Sequence, residues 1–385
     1  MSTLFSAQAG TAGHDTGADI VHFEQEASKW LQANVSQYWR ENRGALSEAE
    51  EVKIRGEWDR ILYAGGYSGL SIPREYGGQG LGLAHEVAFA SAAARAQAPD
   101  ALGRIGRILT APTLIEHGTQ EQKDKYLNPI LSGEHVWCQG FSEPASGSDL
   151  ANVKTLATKV DGGYLVRGRK TWTSYSAYSH RCLLLVRTDV DAPRYKNLSV
   201  FLADMKSPGI SLSPIKQISG SQHFSETDFD DVFIPDSDLL GGEGNGWGVA
   251  MTILKNERGT VEGAVRYIEI RADMDLLVNC CAKDGEYKEL IQNLDTRAEL
   301  VKWQVSKSVA REGDQARFFA ATAGLKVIWS DLWKEIANLG IKISCSTHRA
   351  HWRHQYLESR SASIYSGTNE IQRNIVAERV LGLPK

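Results

Sequence analysis

The segment WCQGFSEPASGSDL, residues 137–150, leaves a short apolar run and enters a loop of small residues. Small residues allow a backbone to approach a flat ring or a phosphate closely, and free backbone N–H groups can donate to anionic oxygens. Downstream, GRKTWTS (residues 168–174) ends a second strand-like run with an aromatic residue and hydroxyls. Either segment alone is typical of a turn beside a core tryptophan. Both together, at this separation, favour a functional interpretation over that one.

On both sides of these two segments, apolar residues recur with the period of helices. Before them, Ala27, Trp30, Leu31 and Val35 fall on one helix face. Further helices are predicted, one ending at Gly65-Gly66 and others at roughly 84–96 and 121–131. After them, helical segments are predicted near 247–282, 286–312 and 316–340, with a last short helix over 369–381 closed by Gly382 and Pro384.

Between about 136 and 240 the period shortens to that of strands. The runs CLLLV (182–186) and LSVFL (198–202) are short, and Asp161-Gly162-Gly163 separates two β-rich runs as in a hairpin. The sequence therefore predicts an α+β fold with a compact antiparallel barrel or sandwich between helical regions. The predicted organisation is a disordered leader (1–19), an N-terminal helical domain (20–135), a middle β-domain (136–241) and a C-terminal four-helix bundle (242–385).

Composition excludes several classes of function. The 385 residues carry a net charge of -4, and no basic run with interleaved aromatic residues is present, so we expect no nucleic-acid partner. The sequence has no apolar stretch of about 18 residues, so we expect no membrane span. The five cysteines lack metal-ligand spacing, so we expect no metal. The N-terminus lacks the order of a signal peptide, and the expected compartment is the cytoplasm.

Six segments together resemble the acyl-CoA dehydrogenase family, from about residue 20 to the C-terminus. They are PREYGGQGLG (73–82), PTLIEHGTQEQKDKYLNPILSGE (112–134), WCQGFSEPASGSDLA (137–151), GRKTWTS (168–174), GWGVAMTILKNERG (246–259) and YSGTNEIQRNIVAERVLGLPK (365–385). The resemblance implies a β-domain between two helical domains and an FAD at a subunit interface. It also implies α,β-dehydrogenation of an acyl-CoA thioester, with electrons passed to electron-transferring flavoprotein.

The resemblance also implies roles for individual residues at matching motif positions. Phe141 and Ser142 would contact the flavin ring, and Gly147 and Ser148 would lie between cofactor and substrate. The remaining cofactor contacts that it implies are Gln139, Trp172, Thr173, Ser174, Thr368 and Glu370. Of these, Trp172 and Ser174 would flank the flavin, and Thr368 would reach its pyrophosphate or ribityl part.

The catalytic base departs from the commonest family pattern. Many relatives carry a glutamate in a Tyr-Glu-Gly-Thr loop, but residues 365–368 read Tyr-Ser-Gly-Thr, and serine is not a usable base by itself. Other relatives place the glutamate on a helix directly before an arginine, which here is Glu257 before Arg258. We predict Glu257 as the base that removes the α-proton. The alternative is a surface glutamate paired with an arginine.

Further substrate contacts follow from the same resemblance. The backbone N–H of Ser366 would donate to the thioester carbonyl, so that the developing enolate charge is stabilised. Ser148, Arg258 and Gly367 would contact the substrate.

A second departure concerns assembly. Relatives usually carry an Arg-x-x-Phe-Gly motif and a Gln-x-x-Gly-Gly-x-Gly loop that reach the partner's FAD, but here residues 282–288 read AKDGEYK and 335–342 read EIANLGIK. The two charges of the FAD pyrophosphate need donors. The losses resemble those of bacterial α2β2 heterotetramers that act on CoA thioesters of steroid side chains, so we expect a homologous partner subunit. The alternative is a homotetramer with a rewired phosphate site.

Other functions remain open at this point. One is dehydrogenation of a carrier-protein-bound acyl group, or oxidation by molecular oxygen. Another is a non-catalytic subunit that completes a partner's site, which the serine in the 365–368 loop favours. The retained 141–149 loop argues against that last alternative, because a purely structural subunit does not need a flavin-contacting loop.

Overall fold

The computed structural model describes residues 17–257, 259–281, 285–343 and 348–384. The order of elements is helices, then strands, then helices, which confirms the predicted α+β class. The helices before the sheet are α1 (Gly17–Asn34), α2 (Gln37–Asn42), α3 (Glu48–Ala64), α4 (Leu83–Arg95), α5 (Ala111–His117) and α6 (Gln120–Ser132). None of the described helices is long and apolar enough to cross a membrane.

Local sequence signals explain where these helices begin and end. Ser47 and Thr119 each form a capping box with the residue three positions on, at the starts of α3 and α6. Gly133 ends α6 in a left-handed conformation, which a residue without Cβ adopts at no steric cost. The predicted helices at 84–96 and 121–131 are confirmed within one residue at each end.

The helices after the sheet are more numerous than predicted. They are α7 (Gly246–Glu257), α8 (Thr260–Cys281), α9 (Lys288–Val309), α10 (Gln315–Thr322), α11 (Leu325–Ile343), α12 (Arg349–Ala362) and α13 (Asn369–Ile375). The single segments predicted at 247–282 and 316–340 are each two helices, the second broken at Gly324, which has a positive φ of 81°. A π-helical turn, Val376–Val380, continues α13.

The strands form one eight-stranded sheet. They are β1 (Trp137–Gly140), β2 (Leu156–Val160), β3 (Gly163–Ser174), β4 (Arg181–Arg187), β5 (Leu198–Asp204), β6 (Ile210–Ile215), β7 (Phe224–Pro235) and β8 (Leu239–Leu240). The order is β6-β7-β3-β2-β4-β5-β8, and β1 pairs with β4. The predicted hairpin is confirmed, because β2 and β3 pair antiparallel across Asp161 and Gly162. The expectation of a purely antiparallel sheet is wrong, since β4 pairs parallel with both β1 and β2.

The sheet is buried on both faces at its centre. Along β4, Leu183 and Leu185 join one hydrophobic core, whereas Cys182, Leu184 and Val186 join the other. Successive side chains of a strand point to opposite faces, so a strand covered on both sides reads as a continuous apolar run. This explains the unbroken CLLLV sequence.

The chain forms two compact units. The first comprises the described parts of Met1–Arg40, Leu81–Ala98 and Arg258–Lys385, and the second comprises Glu41–Gly80 and Pro99–Glu257. The core of the first unit joins α1 and α4 with α8, α9, α11 and α12. The second unit contains α3, α5, α6, the sheet and α7.

Close helix packing in the first unit uses Gly340 of α11. A Cβ at this position would lie 2.1 Å from Cδ2 of Trp352, a fully buried residue of α12. Only glycine fits such an approach, so this residue serves the contact between two helices. The segment 335–342 is an uninterrupted part of α11.

Candidate functional site

The two motif segments lie side by side in the second unit. Strand β1 ends at Gly140, and the backbone N–H of Thr171 in β3 donates to the carbonyl of Ser142 at 2.9 Å. The start of the loop is thus bound to the end of a long strand. In the sequence the two motifs are separate segments, and this hydrogen bond shows that they lie next to each other at one edge of the β-region.

The loop after Phe141 has a tight internal structure. Glu143 and Ser146 exchange backbone hydrogen bonds of 2.9 and 3.0 Å, and the Ser146 hydroxyl donates to the Asn152 carbonyl at 2.9 Å. Beyond this turn, Gly147 and Ser148 are exposed. A Cβ added to Gly147 would meet nothing within 4 Å, so this part of the loop faces open space within the described structure.

A buried ion pair anchors the loop to β3. The Lys170 ammonium, fully buried, lies 2.8 Å from Oε1 of Glu143, which is 7% exposed. It also donates to the carbonyl of Phe141 at 3.2 Å. The Glu143 carboxylate accepts from the backbone N–H groups of Lys154 and Thr155 at 2.6 and 2.9 Å.

The pair is charged at neutral pH. Burial lowers the pKa of Lys170 to about 8, against the opposing effect of Glu143. Burial alone would raise the pKa of Glu143, but the Lys170 charge and the donated hydrogen bonds outweigh it and lower that pKa. Both pKa values therefore lie on the ionised side of neutrality.

Trp172 stands on an irregularity of the sheet. The register of β3 against β7 shifts between Lys170 and Thr173, and Trp172 has a positive φ of 58°, rare for a bulky residue. Its side chain is exposed (54%), with its ring 5.8 Å from that of Phe224 in an edge arrangement. The alternative interpretation as a core tryptophan is therefore wrong. Backbone strain of this kind is concentrated at functional sites.

The neighbours of Trp172 differ in accessibility. Ser174 and Gln139 are half-buried. Thr173 is fully buried, and its Oγ1 has no hydrogen-bond partner among the described residues. Thr173 is therefore not accessible in this structure, and it pairs with Ser225 of β7 within the sheet.

The predicted C-terminal contacts lie in the first unit. Ser366 and Gly367 have positive φ values of 53° and 81°. The Lys326 ammonium donates to the carbonyl of Gly367, and the Gln372 side chain donates to the carbonyl of Ser366 at 3.2 Å. These two contacts hold consecutive residues in a conformation that serine rarely adopts.

Thr368 begins α13 as its N-cap. Its hydroxyl accepts from the backbone N–H of Ile371 at 3.2 Å, which satisfies one of the free donors at a helix start. Glu370 is exposed in the first turn, and hydrogen bonds from its own backbone N–H and from Thr368 lower its pKa.

Two predicted residues have side chains that the structure does not describe. Glu257 is the last residue of α7, but its side chain lies outside the described part, as does the whole of Arg258. Residues 282–284 are also outside it, and 285–287 form a short 3-10 turn before α9. The orientation of Glu257 therefore stays a prediction.

Sequence reasoning missed Glu143 and Lys170 as individual site residues. Both stand inside the two motifs, but attention there went to small and aromatic residues. One signal was available, since Glu143 closely follows a short apolar run and Lys170 lies in a strand-like run. Charged residues are rarely buried unless they are paired.

The comparisons with known proteins agree with the motifs. Family models of the acyl-CoA dehydrogenase N-terminal, middle and C-terminal domains match residues 18–134, 138–232 and 244–381. The chain is 34% identical to acyl-CoA dehydrogenase IpdE1 of Mycolicibacterium smegmatis, covering 95% of this chain and 98% of the relative. The IpdE1 protein of Mycobacterium tuberculosis is also 34% identical, with the same coverage of both chains.

Solved structures are similar over the whole chain. One is the ChsE4-ChsE5 complex from Mycobacterium tuberculosis, with a TM-score of 0.81 and 25% identity, covering 95% of this chain and 97% of that one. With three family models in order along the chain and relatives at 34% identity over nearly its full length, the chain belongs to the acyl-CoA dehydrogenase family.

Proposed function

We propose that this FAD-dependent acyl-CoA dehydrogenase introduces an α,β double bond into a bulky acyl-CoA, with Glu257 as the base. Membership of the family carries the reaction class and the cofactor. The observation that carries the site is the hydrogen bond from Thr171 to Ser142, because it joins the small-residue loop to the strand end that presents Trp172.

The residues at this edge fit a flavin. An exposed indole on a strained backbone offers a flat apolar face beside a loop of small residues. Ser142, Trp172 and Ser174 would hold the ring, with Phe141, a buried residue, beneath the start of the loop, whereas Thr173 is fully buried and supports the edge from within the sheet. When bound, the flavin supplies the acceptor for the β-hydrogen, which leaves as hydride.

The chain's own residues would handle the proton and the developing charge. Glu257 takes the α-proton, which requires a carboxylate whose pKa rises when the site closes and excludes water. The backbone N–H of Ser366 donates to the thioester carbonyl. The contacts of Lys326 and Gln372 with the 366–367 carbonyls support this role, because they fix the backbone conformation from which that N–H is presented.

A homologous partner subunit supplies the donors for the FAD pyrophosphate in this proposal. Support comes from the segment 335–342, which is continuous helix to Ile343 and uses Gly340 for packing against Trp352. A segment committed to helix packing does not form the glycine-rich loop of other relatives. We take the acyl group to be a steroid side chain, as in the heterotetramers with the same losses, and the acceptor to be electron-transferring flavoprotein.

Glu257→Gln tests the assignment of the base. The variant should retain FAD, because it changes one oxygen to nitrogen, but its turnover should fall by about 10²–10⁴-fold or more, since base catalysis is lost. Flavin bleaching under anaerobic conditions with a panel of acyl-CoA thioesters measures this. Glu289→Gln, an exposed glutamate of α9, is the control and should behave as wild type.

The 365–368 loop favours one second candidate, a non-catalytic subunit, because serine replaces its glutamate. Near-normal turnover of Glu257→Gln in the intact assembly would reject the proposed base and support that candidate.

A further inference from the structure

The buried Glu143–Lys170 pair is linked by further hydrogen bonds to three backbone groups. Lys170 is held by β3 and reaches both the Glu143 carboxylate and the Phe141 carbonyl. Glu143 in turn accepts from two successive backbone N–H groups, at Lys154 and Thr155. These bonds connect the start of the 141–149 loop, its first turn and the chain just beyond it.

We propose that Glu143 and Lys170 are positioning residues that lock the 141–149 loop in the shape that receives the cofactor. The inference rests on the proposed function in one respect, that this loop contacts the flavin. Neither residue is assigned contact with the cofactor or the substrate. Both act through the backbone of the residues between them.

The exposed half of the loop depends on this lock. Gly147, Ser148 and Asp149 are exposed. The contacts of this stretch include an ion pair of Asp149 with Arg194, both about half exposed. Exposed pairs contribute little, whereas charge-assisted hydrogen bonds inside the protein are directional and strong. The shape of the exposed stretch is therefore determined chiefly by the buried bonds at Glu143.

The Lys170 stem lies among apolar neighbours. A Cβ on Gly140 would lie 3.5 Å from Cγ of Lys170, an ordinary contact, and 3.0 Å from Sγ of Cys182 and from Cδ1 of Leu184, which are tight contacts. Glycine at this position therefore serves the close packing of β1 on β4, beside the lysine stem. Apolar residues of similar volume are often as stable as a buried ion pair. What the pair adds here is a single geometry for the loop.

Hydrogen–deuterium exchange on the full chain tests the lock directly. In Glu143→Gln and in Lys170→Met, amides of residues 141–155 should exchange at least about tenfold faster than in wild type, because charge-assisted bonds are lost. The strands at 183–186 and 198–203 should keep their protection. Arg169→Met is the matched control. Arg169 is the neighbouring positively charged residue of β3, but it pairs with Asp228 at an exposed position.

Release of FAD from the flavin-loaded enzyme gives the second measurement. If the lone chain carries no flavin, the enzyme is co-purified with its partner subunit. Both variants should release FAD at least about tenfold faster than wild type and Arg169→Met. If either single variant fails to fold, the double variant Glu143→Gln/Lys170→Met, which leaves no unpaired charge, replaces it.

The outcomes separate the two proposals. Unchanged exchange over 141–155 in the folded variants would overturn the lock. Faster exchange with unchanged FAD release would support the lock but count against the flavin contact of the loop, and hence against the proposed function. Faster exchange with faster release would support both.

Discussion

Trp172 is the exposed aromatic residue that we propose as a flavin contact. It exposes 54% of its surface on a left-handed backbone, although a buried site would remove far more apolar area from water. Trp172→Ala should weaken FAD binding about 3- to 10-fold, since a stacked aromatic contact contributes about 0.5–1.5 kcal/mol. The folding free energy should change little, because the side chain is largely exposed.

Fluorescence titration with FAD, on apoprotein prepared from the enzyme co-purified with its partner subunit, measures this loss. Trp172→Phe keeps an aromatic face and should bind FAD almost as tightly as wild type. Unchanged affinity in Trp172→Ala would mean that the exposed ring does not contact the flavin.

Lys170 gives a pH dependence of stability at the same scale. Burial lowers its pKa to about 8 in the folded protein, whereas an unfolded lysine has a pKa of about 10.4. Between these values the unfolded state binds more protons, so this residue's contribution to stability increases as pH rises. The unfolding free energy of wild type minus that of Lys170→Met should therefore increase by on the order of 1–3 kcal/mol from pH 8 to about 10.4.

Urea denaturation at several pH values measures that difference. Subtracting the Lys170→Met values removes groups that titrate in both proteins. A difference that stays flat across the window would contradict the lowered pKa.

At the scale of elements, α11 supports the loop that precedes α13. Lys326, near the start of α11, is buried and donates to the carbonyl of Gly367. Lys326→Met should lower kcat about 10- to 100-fold with little change in KM, because a small displacement of the 366–367 backbone misaligns the donor to the thioester. FAD content should not change.

Steady-state kinetics measures this effect. The substrate is the acyl-CoA that bleaches the flavin of the wild-type enzyme most completely. Lys342→Met removes an exposed lysine from the same helix and should leave kcat at the wild-type value. Equal kcat values for the two variants would remove the role assigned to Lys326.

At the scale of the whole molecule, the proposed partner subunit predicts that this chain depends on a second one. Expressed alone, it should be poorly soluble or nearly free of FAD, because in that proposal the partner supplies the donors for the pyrophosphate charges. Co-expression with a homologous subunit that carries the Arg-x-x-Phe-Gly and Gly-Gly motifs should restore the flavin. The absorbance ratio of flavin to protein, together with the native mass, measures both effects. Full FAD occupancy of the lone chain would refute the heteromer.

The amino-acid sequence was enough to predict the family, the order of helical and β regions, the hairpin between β2 and β3 and the bounds of α4 and α6. These features are local, because a 3.6-residue period, a capping box or a two-residue hairpin turn is present in a short stretch of chain. The two motif segments were likewise visible without a structure. The sequence does not predict the break between α10 and α11, because the apolar residues keep one helical period across 316–340.

Only the tertiary structure decided which side chains the motifs bury and which they expose. Trp172 could have been a core residue, and the shift in register between β3 and β7 is what turned it outward. The Glu143–Lys170 pair, the use of Gly340 against Trp352, and the joining of α1 and α4 to the C-terminal helices all depend on residues far apart in sequence. Such contacts form only when the chain packs, because no local preference of the backbone brings these segments together. The apolar contacts are stabilised by excluding water, whereas the attraction within the buried ion pair must offset the cost of removing its charges from water.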